Sequence, residues 1–128
     1  MEKVNNITSA IISACIEVHS DLGPGLFESV YEEILAYKFQ KAGLHFSRQV
    51  AIPVYYEELK MDVGFRADFV IEEDVILEIK SIEAVHPVHK KQLLTYLRLA
   101  NKQIGLLINF NEEVLKTGIT RLINKYYK

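Results

Sequence analysis

The sequence lacks the features that mark several classes of protein. Its one cysteine, Cys15, excludes an internal disulfide and leaves a thiolate zinc site without partner ligands. It contains no His-x-x-x-His pair for a zinc hydrolase and no Gly-x-Ser-x-Gly turn for a serine hydrolase. The apolar stretch from Ile11 is interrupted by Glu17 and His19, and no run approaches the roughly 20 residues that span a bilayer. We therefore expect a cytoplasmic protein without a membrane segment.

An excess of positive charge is also absent. The chain has 15 Lys and Arg against 17 Asp and Glu, for a net charge of -2, which argues against a broad phosphate-binding surface. Its 128 residues, of which 49% are hydrophobic, suffice for one core. We expect one domain over residues 1–128, with any basic face being local.

The spacing of apolar residues predicts two opening helices. The first is expected to be capped by Asn5 or Asn6 and to end at the Gly-Pro-Gly segment 23–25, because proline and glycine interrupt helical geometry. The second should begin near Leu26 and end at a glycine turn, 41–43.

From Leu44 the apolar period becomes two, which is typical of strands. Strands are predicted over 44–56, with Pro53 indicating an edge position, and over 59–71 and 75–81, which together form an antiparallel meander.

The rest of the chain returns to a helix. Pro87 begins a third helix that runs to Ala100, and the apolar run 104–110 predicts a strand buried on both faces. The spacing in 114–127 favours a last helix, although Gly118 weakens it.

Three charged residues fall on two neighbouring strands of the predicted meander. Glu78 and Lys80 are two apart and share a face, and Asp68 precedes them across a short hairpin. Two carboxylates suit a hard cation such as Mg²⁺, and a lysine beside them would stabilise negative charge on a phosphoryl group. The same three residues also suit a salt-bridged patch on a solvated face, and the spacing alone favours that interpretation.

A longer pattern resembles the signature of the GxxExxY protein family. The segment 17–33 carries Gly25, Glu28 and Tyr31 at the signature spacing, and the similarity continues through Gln49–Tyr56, the Asp68 strand, 77–80, 92–97 and 105–110. That family is placed in the PD-(D/E)xK nuclease-like superfamily. The resemblance therefore implies an α/β, restriction-endonuclease-like core: a central mixed sheet, made of a three-stranded antiparallel meander and a further strand, flanked by helices.

The resemblance also implies roles for individual residues. Asp68, Glu78 and the backbone carbonyl of Ile79 would bind Mg²⁺ or Mn²⁺, and Lys80 would orient water and stabilise charge. Glu28 would reach the same site from the second helix, where its simpler role is to interact favourably with the helix N-terminus. Glu32 and Glu33 are expected to face solvent.

Polar residues on the third helix give further candidates. His89, Gln92 and Tyr96 share one face of this helix. The superfamily commonly uses a Gln on this helix, so Gln92 is the first candidate for contact with the scissile phosphate and Tyr96 the second, while His89 fits a solvated face equally well.

Basic residues on another face suggest a contact for phosphates. Lys91, Arg98 and Lys102 are expected to form a stripe, and further cations follow at Lys116, Arg121, Lys125 and Lys128. Most such stripes are only solvated.

Two functions from different classes are compatible with the sequence, and the intact set of Asp68, Glu78 and Lys80 favours the first. One is a metal-dependent phosphodiesterase acting on DNA or RNA. The other is a non-catalytic module that uses the same fold to bind nucleic acid or a protein. Monomer and homodimer are both compatible with the sequence.

Overall fold

Two helices open the chain and cover one side of the sheet. In this computed structural model, which describes residues 1–128 except for the side chains of Asp62 and Val63, α1 spans Glu2–Leu22 and α2 spans Glu28–Lys41. The first helix begins earlier than predicted, since the amide of Asn5 already donates to the carbonyl of Met1 at 2.9 Å. The expected caps are therefore wrong: Asn5 lies within the helix, and no side chain caps its first turn.

Five strands form one mixed sheet in the order β1-β2-β3-β4-β5. The strands are β1 (Phe46–Tyr56), β2 (Leu59–Ile71), β3 (Val75–Lys80), β4 (Ile104–Asn109) and β5 (Ile119–Ile123). β2 is antiparallel to both β1 and β3, β4 runs parallel to β3, and β5 is antiparallel to β4. The meander and the edge position of Pro53 in β1 are confirmed, and β4 is buried along its whole length as predicted.

The predicted last helix is wrong. The chain instead forms a 3₁₀ turn over Leu115–Gly118 and then β5. The outer edge of β4 explains this, because every residue of β4 is buried and its backbone groups would lack partners without a further strand. Pairing with that edge outweighs the weak helical preference of the segment. Gly118 also packs too closely for a side chain, since a Cβ there would lie 2.6 Å from the carbonyl oxygen of Asn109.

A third helix covers the opposite side of the sheet. α3 spans Pro87–Ala100 and packs Leu93 and Leu97 against Gly105 of β4, where a Cβ would lie 3.0 Å from each of these leucines. This core is separate from the larger one that α1 and α2 form. In the described part of the chain, none of the helices combines the length and apolarity needed to cross a membrane.

Gln49 in β1 and Asp68 in β2 mark the point where the alternation of these two strands is interrupted. The apolar residues before and after this point pack on opposite sides of the sheet. Before Gln49, Phe46 packs on the α1–α2 side, whereas Val50 and Ile52 pack on the α3 side. Gln49 has a φ of 49°, a left-handed conformation that is uncommon for residues other than glycine. This distortion lies directly beside the predicted metal ligand.

Candidate active site

Asp68 lies where two strands separate. β2 pairs with β3 only over Phe69–Ile71, so that the backbone of Ile79 has no partner on β2. The carboxylate of Asp68 takes that place, and its Oδ2 accepts a hydrogen bond of 2.8 Å from the amide of Ile79. Because the N–H and C=O of a strand residue point to the same side, the carbonyl of Ile79 faces this opening as well.

Glu78 and Lys80 point towards the α3 side of the sheet. Leu77 and Ile79 point to the α1–α2 core, so the predicted alternation is confirmed. Glu78 is 8% exposed, and its Oε1 is buried with no hydrogen-bond partner among the described residues. Burial and, next, the negative charge of Asp68 raise the pKa of Glu78 to about 9, although Lys80 opposes the shift.

The alternative interpretation, a salt-bridged patch on a solvated face, is wrong. Among the residues whose side chains are described, no Lys or Arg nitrogen lies within 4 Å of a carboxylate oxygen of Asp68 or Glu78, and Lys80 has no carboxylate partner either. A buried carboxylate without a cation or a hydrogen-bond donor is costly unless it is protonated or a ligand completes it. The arrangement is therefore unlike a structural ion-pair network.

Glu28 reaches the same opening from the start of α2. Its Oε2 accepts a hydrogen bond of 3.2 Å from the amide of Ser81, the residue after Lys80. The hydroxyl of Ser81 donates to the carbonyl of Leu26 at 2.6 Å. These two bonds fix the loop before α2 to the end of β3.

Tyr31 forms two hydrogen bonds with the backbone of that loop. Its hydroxyl is buried, donates to the carbonyl of Gly23 at 2.6 Å and accepts a hydrogen bond of 3.2 Å from the amide of Leu26. Gly25 has a φ of 98°, which residues with a side chain rarely adopt. Gly25 and Tyr31 therefore shape the loop, and Glu28 is the member of this set that reaches the site.

One flank of α3 closes the pocket. The cavity measures about 250 Å³, and its lining includes every side chain predicted for the site, namely Glu28, Asp68, Glu78, Lys80, Gln92 and Tyr96. His89 lines it too, together with Phe65, Arg66, Leu93 and Leu107. Tyr96 stacks on Phe65, and burial, together with the charge of Glu78, raises the pKa of its hydroxyl.

Sequence reasoning missed a group of residues behind Asp68. The side-chain nitrogen of Gln49 donates a hydrogen bond to the carboxylate of Glu32 at 2.6 Å and lies 3.4 Å from Oδ1 of Asp68. Arg48 binds Glu32 at 2.7 Å and Glu33 at 2.6 Å. The expectation that Glu32 faces solvent is thus wrong, since its side chain is 14% exposed, whereas Glu33 is exposed as predicted. Adjacent polar residues in an otherwise alternating strand were the available signal.

The expected stripe of three cations is also wrong. Lys91 and Arg98 lie on the flank of α3 away from the pocket, but α3 ends at Ala100. Asn101 adopts a left-handed conformation, with a φ of 51°, and turns the chain away. Lys102 is directed to the β2–β3 turn, where its Nζ donates to the carbonyl of Glu73.

The donor atoms of the pocket fit a hard divalent cation. Among the described residues, no group of three His, Cys, Asp or Glu side chains is arranged to hold a metal, so the protein ligands would be two carboxylates and one carbonyl. Mg²⁺ is commonly bound in this way, through one or two carboxylates and several waters. The unpartnered Oε1 of Glu78 supplies an acceptor that such a cation would satisfy.

Comparison with models of protein families gives a match over most of the chain. The model of a family described as the PD-(D/E)XK nuclease superfamily matches residues 5–122, which include every residue of the pocket. Searches of curated proteins and of solved structures return no match.

Proposed function

Because this chain belongs to the PD-(D/E)XK nuclease superfamily, we propose that it is a Mg²⁺-dependent phosphodiesterase that hydrolyses DNA or RNA. One observation carries the proposal. The buried side chain of Glu78, whose Oε1 has no hydrogen-bond partner among the described residues, lies with Asp68 and Lys80 in a single open pocket. A cluster of this kind lowers the stability of the protein unless Glu78 is protonated or a ligand binds there.

The cation would be held by Asp68, Glu78 and the carbonyl of Ile79, and Mn²⁺ would serve in place of Mg²⁺. When bound, it acts as a Lewis acid that makes water more acidic and offsets charge on the phosphoryl oxygens. Asp68 is preorganised for this task, because the amide of Ile79 fixes one of its oxygens and Gln49 lies beside the other.

Lys80 supplies a fixed positive charge to the reacting phosphate. It lines the pocket without a carboxylate partner among the described residues, so its ammonium is available to substrate. In the reaction it orients the attacking water and stabilises the charge that develops on the phosphoryl oxygens. Glu28 completes the acidic side of the pocket and positions the end of β3 through Ser81.

Gln92 and Tyr96 bind the substrate from α3. Both line the pocket opposite the carboxylates, and the amide of Gln92 and the hydroxyl of Tyr96 are neutral donors suited to a phosphate oxygen. Neither adds charge, so the negative substrate meets donors on one side and the cation site on the other.

The finer classification is the GxxExxY family. Its signature positions here, Gly25, Glu28 and Tyr31, have a common physical purpose. Glycine allows the turn, tyrosine holds it and glutamate reaches the pocket. This division of roles supports the assignment, because each signature residue has its own conformation or contact in the loop or the pocket.

Divalent-metal calorimetry followed by a substrate panel tests the proposal. The parent protein should bind Mg²⁺ or Mn²⁺ and cleave at least one of single-stranded, duplex or branched nucleic acids, and EDTA should abolish cleavage. Glu78→Gln should lose both properties, whereas Glu113→Gln, an exposed residue outside the pocket, should keep them. A parent protein that binds no divalent metal would instead support the non-catalytic binding module.

A further inference from the structure

A second cleft lies on the flank of α3 that faces away from the pocket. It measures about 400 Å³ and lies between α3 and the residues that follow β5. We call it the basic groove, and its lining is Lys91, Leu94, Thr95, Arg98, Ile123, Asn124, Lys125 and Tyr126. An adjoining cleft shares Thr95, Arg98 and Tyr126 with it and adds Lys128.

The charged side chains that line the basic groove are all positive. Lys91, Arg98 and Lys125 line it, and no carboxylate side chain does. None of these cations, nor Lys128, forms an ion pair among the described residues. In a protein whose net charge is -2, this is a local reversal that attracts anions.

Asn124 fixes the far wall of the groove. It is 4% exposed, and its side-chain nitrogen donates to the carbonyls of Leu97 at 3.2 Å and Lys102 at 3.0 Å. Its side-chain oxygen accepts a hydrogen bond of 2.9 Å from the amide of Tyr126. The groove is therefore preformed.

Tyr126 presents an aromatic ring at the surface. The ring belongs to a residue that is 65% exposed, and the guanidinium carbon of Arg98 lies 4.2 Å from its centroid. A cation packed on one face orients the ring and leaves the rest open. Cations beside an exposed aromatic ring are typical of surfaces that bind single-stranded nucleic acids, whose bases stack on the ring while their phosphates contact the cations.

We propose that the basic groove binds an unpaired segment of the nucleic-acid substrate, with phosphates at Lys91, Arg98 and Lys125 and a base stacked on Tyr126. This inference rests on the proposed function, because the opposite flank of α3 lines the reaction pocket. A helix is about 10–12 Å wide, so a strand of a few nucleotides is long enough to reach from the pocket to the groove. An acidic peptide would use the cations but would have no base to stack on the ring.

Binding of a fluorescent oligonucleotide tests the inference apart from cleavage. The probe is a 20-nucleotide oligothymidine, with anisotropy measured in EDTA on the Lys80→Ala background. Arg98→Ala with Lys125→Ala should weaken binding about tenfold or more and reduce the salt slope by about 1.4, since each phosphate contact on a single strand contributes roughly 0.7. Tyr126→Ala should weaken binding roughly five- to hundredfold, and Tyr126→Phe should not.

Matched controls exist elsewhere on the chain. Lys41 lies over the exposed ring of Tyr37, and Lys60 lies over the exposed ring of Tyr55, as Arg98 lies over Tyr126. Lys41→Ala with Lys60→Ala, and Tyr37→Ala alone, should leave affinity unchanged. Equal losses in these controls would overturn the inference.

Two further results would also overturn the inference. One is a duplex that binds as tightly as the single strand and whose affinity does not change in Tyr126→Ala. The other is displacement of the probe by polyglutamate at equal charge. Failure of the proposed function is distinguishable. If the protein binds the oligonucleotide through Tyr126 but never cleaves it in Mg²⁺, the groove proposal stands and the nuclease proposal fails. If the protein cleaves nucleic acid but the groove variants bind like the parent, the nuclease proposal stands and the groove proposal fails.

Discussion

The carboxylate of Asp68 accepts a hydrogen bond of 2.8 Å from the amide of Ile79, across the point where β2 leaves β3. This bond replaces one that the sheet would otherwise supply. It orients a candidate metal ligand and keeps the carbonyl of Ile79 on the open side of the strand. The site is thus a consequence of strand divergence, and the predictions below depend on that geometry.

Asp68→Asn should remove the response of the protein to metal without unfolding it. Asparagine keeps an oxygen that can accept from Ile79 and removes the negative charge beside Glu78, so the metal-free variant should be at least as stable as the parent. At about a hundredfold excess over its dissociation constant, Mg²⁺ should stabilise the parent by roughly 2.7 kcal/mol and raise its melting temperature by several degrees.

Melting curves with and without Mg²⁺ check this. Asp21→Asn, on the exposed end of α1, should respond like the parent. Strong destabilisation of Asp68→Asn, with a parent indifferent to Mg²⁺, would identify a structural role for these charges.

The free energy of unfolding of the metal-free protein should decrease as pH rises, because of Glu78. Its pKa is about 9 in the folded state, against an ordinary value of 4.5, so the folded protein holds the proton more tightly than the unfolded chain does. The stabilisation is complete below about pH 4.5 and is lost as pH rises towards 9. Urea unfolding at pH 5.5, 7 and 8.5 should show a steeper decline for the parent than for Glu78→Gln. Parallel profiles would contradict the assignment.

Metal binding near pH 7 should release a proton. Glu78 is mostly protonated in the metal-free protein at this pH, and a carboxylate must be deprotonated to bind a cation. The heat of Mg²⁺ binding should therefore differ between buffers of high and low ionisation enthalpy, by an amount corresponding to about one proton. Identical heats in both buffers would show that Glu78 is already ionised.

Tyr31→Phe should loosen the loop that carries Glu28. The change leaves the carbonyl of Gly23 and the amide of Leu26 without their partner, at a cost of about 1–3 kcal/mol. The free energy of unfolding should fall by that amount, and turnover should fall as well because Glu28 is less well placed. Tyr37→Phe, at an exposed position on α2, should change neither within about 0.5 kcal/mol. Equal effects of the two substitutions would mean that Tyr31 contributes only apolar burial.

The periodic parts of the fold could be predicted from the sequence. Strand alternation placed Glu78 and Lys80 on one face, and it gave the limits of β2 as the structure has them. These features depend on local patterns that tertiary contacts reinforce. The last strand was missed because its pairing is decided by the open edge of β4, which no local pattern in 114–127 reveals.

The shape of the site could be predicted only in part. The chemistry of Asp68, Glu78 and Lys80 on neighbouring strands singled them out, and the family resemblance favoured a metal site over a salt-bridged patch. The support from Gln49 and Glu32 was not predicted, because it depends on a left-handed residue in β1 and on the placement of α2 against that strand. Contacts between segments that are distant in the sequence do not produce a periodic pattern of residues from which they could be predicted.

The rate of Mg²⁺-dependent cleavage by Lys80→Ala, measured beside Mg²⁺ calorimetry on the same sample, tests the central claim most directly. Lysine is not a metal ligand in this account, so Mg²⁺ should still bind, while the rate should fall by roughly a hundred- to a thousandfold because the phosphoryl charge loses its fixed cation. Lys41→Ala, at a position that does not line the pocket, should cleave like the parent. Full cleavage by Lys80→Ala, or a parent that binds Mg²⁺ yet cleaves no nucleic acid, would contradict the claim that this pocket hydrolyses phosphodiesters.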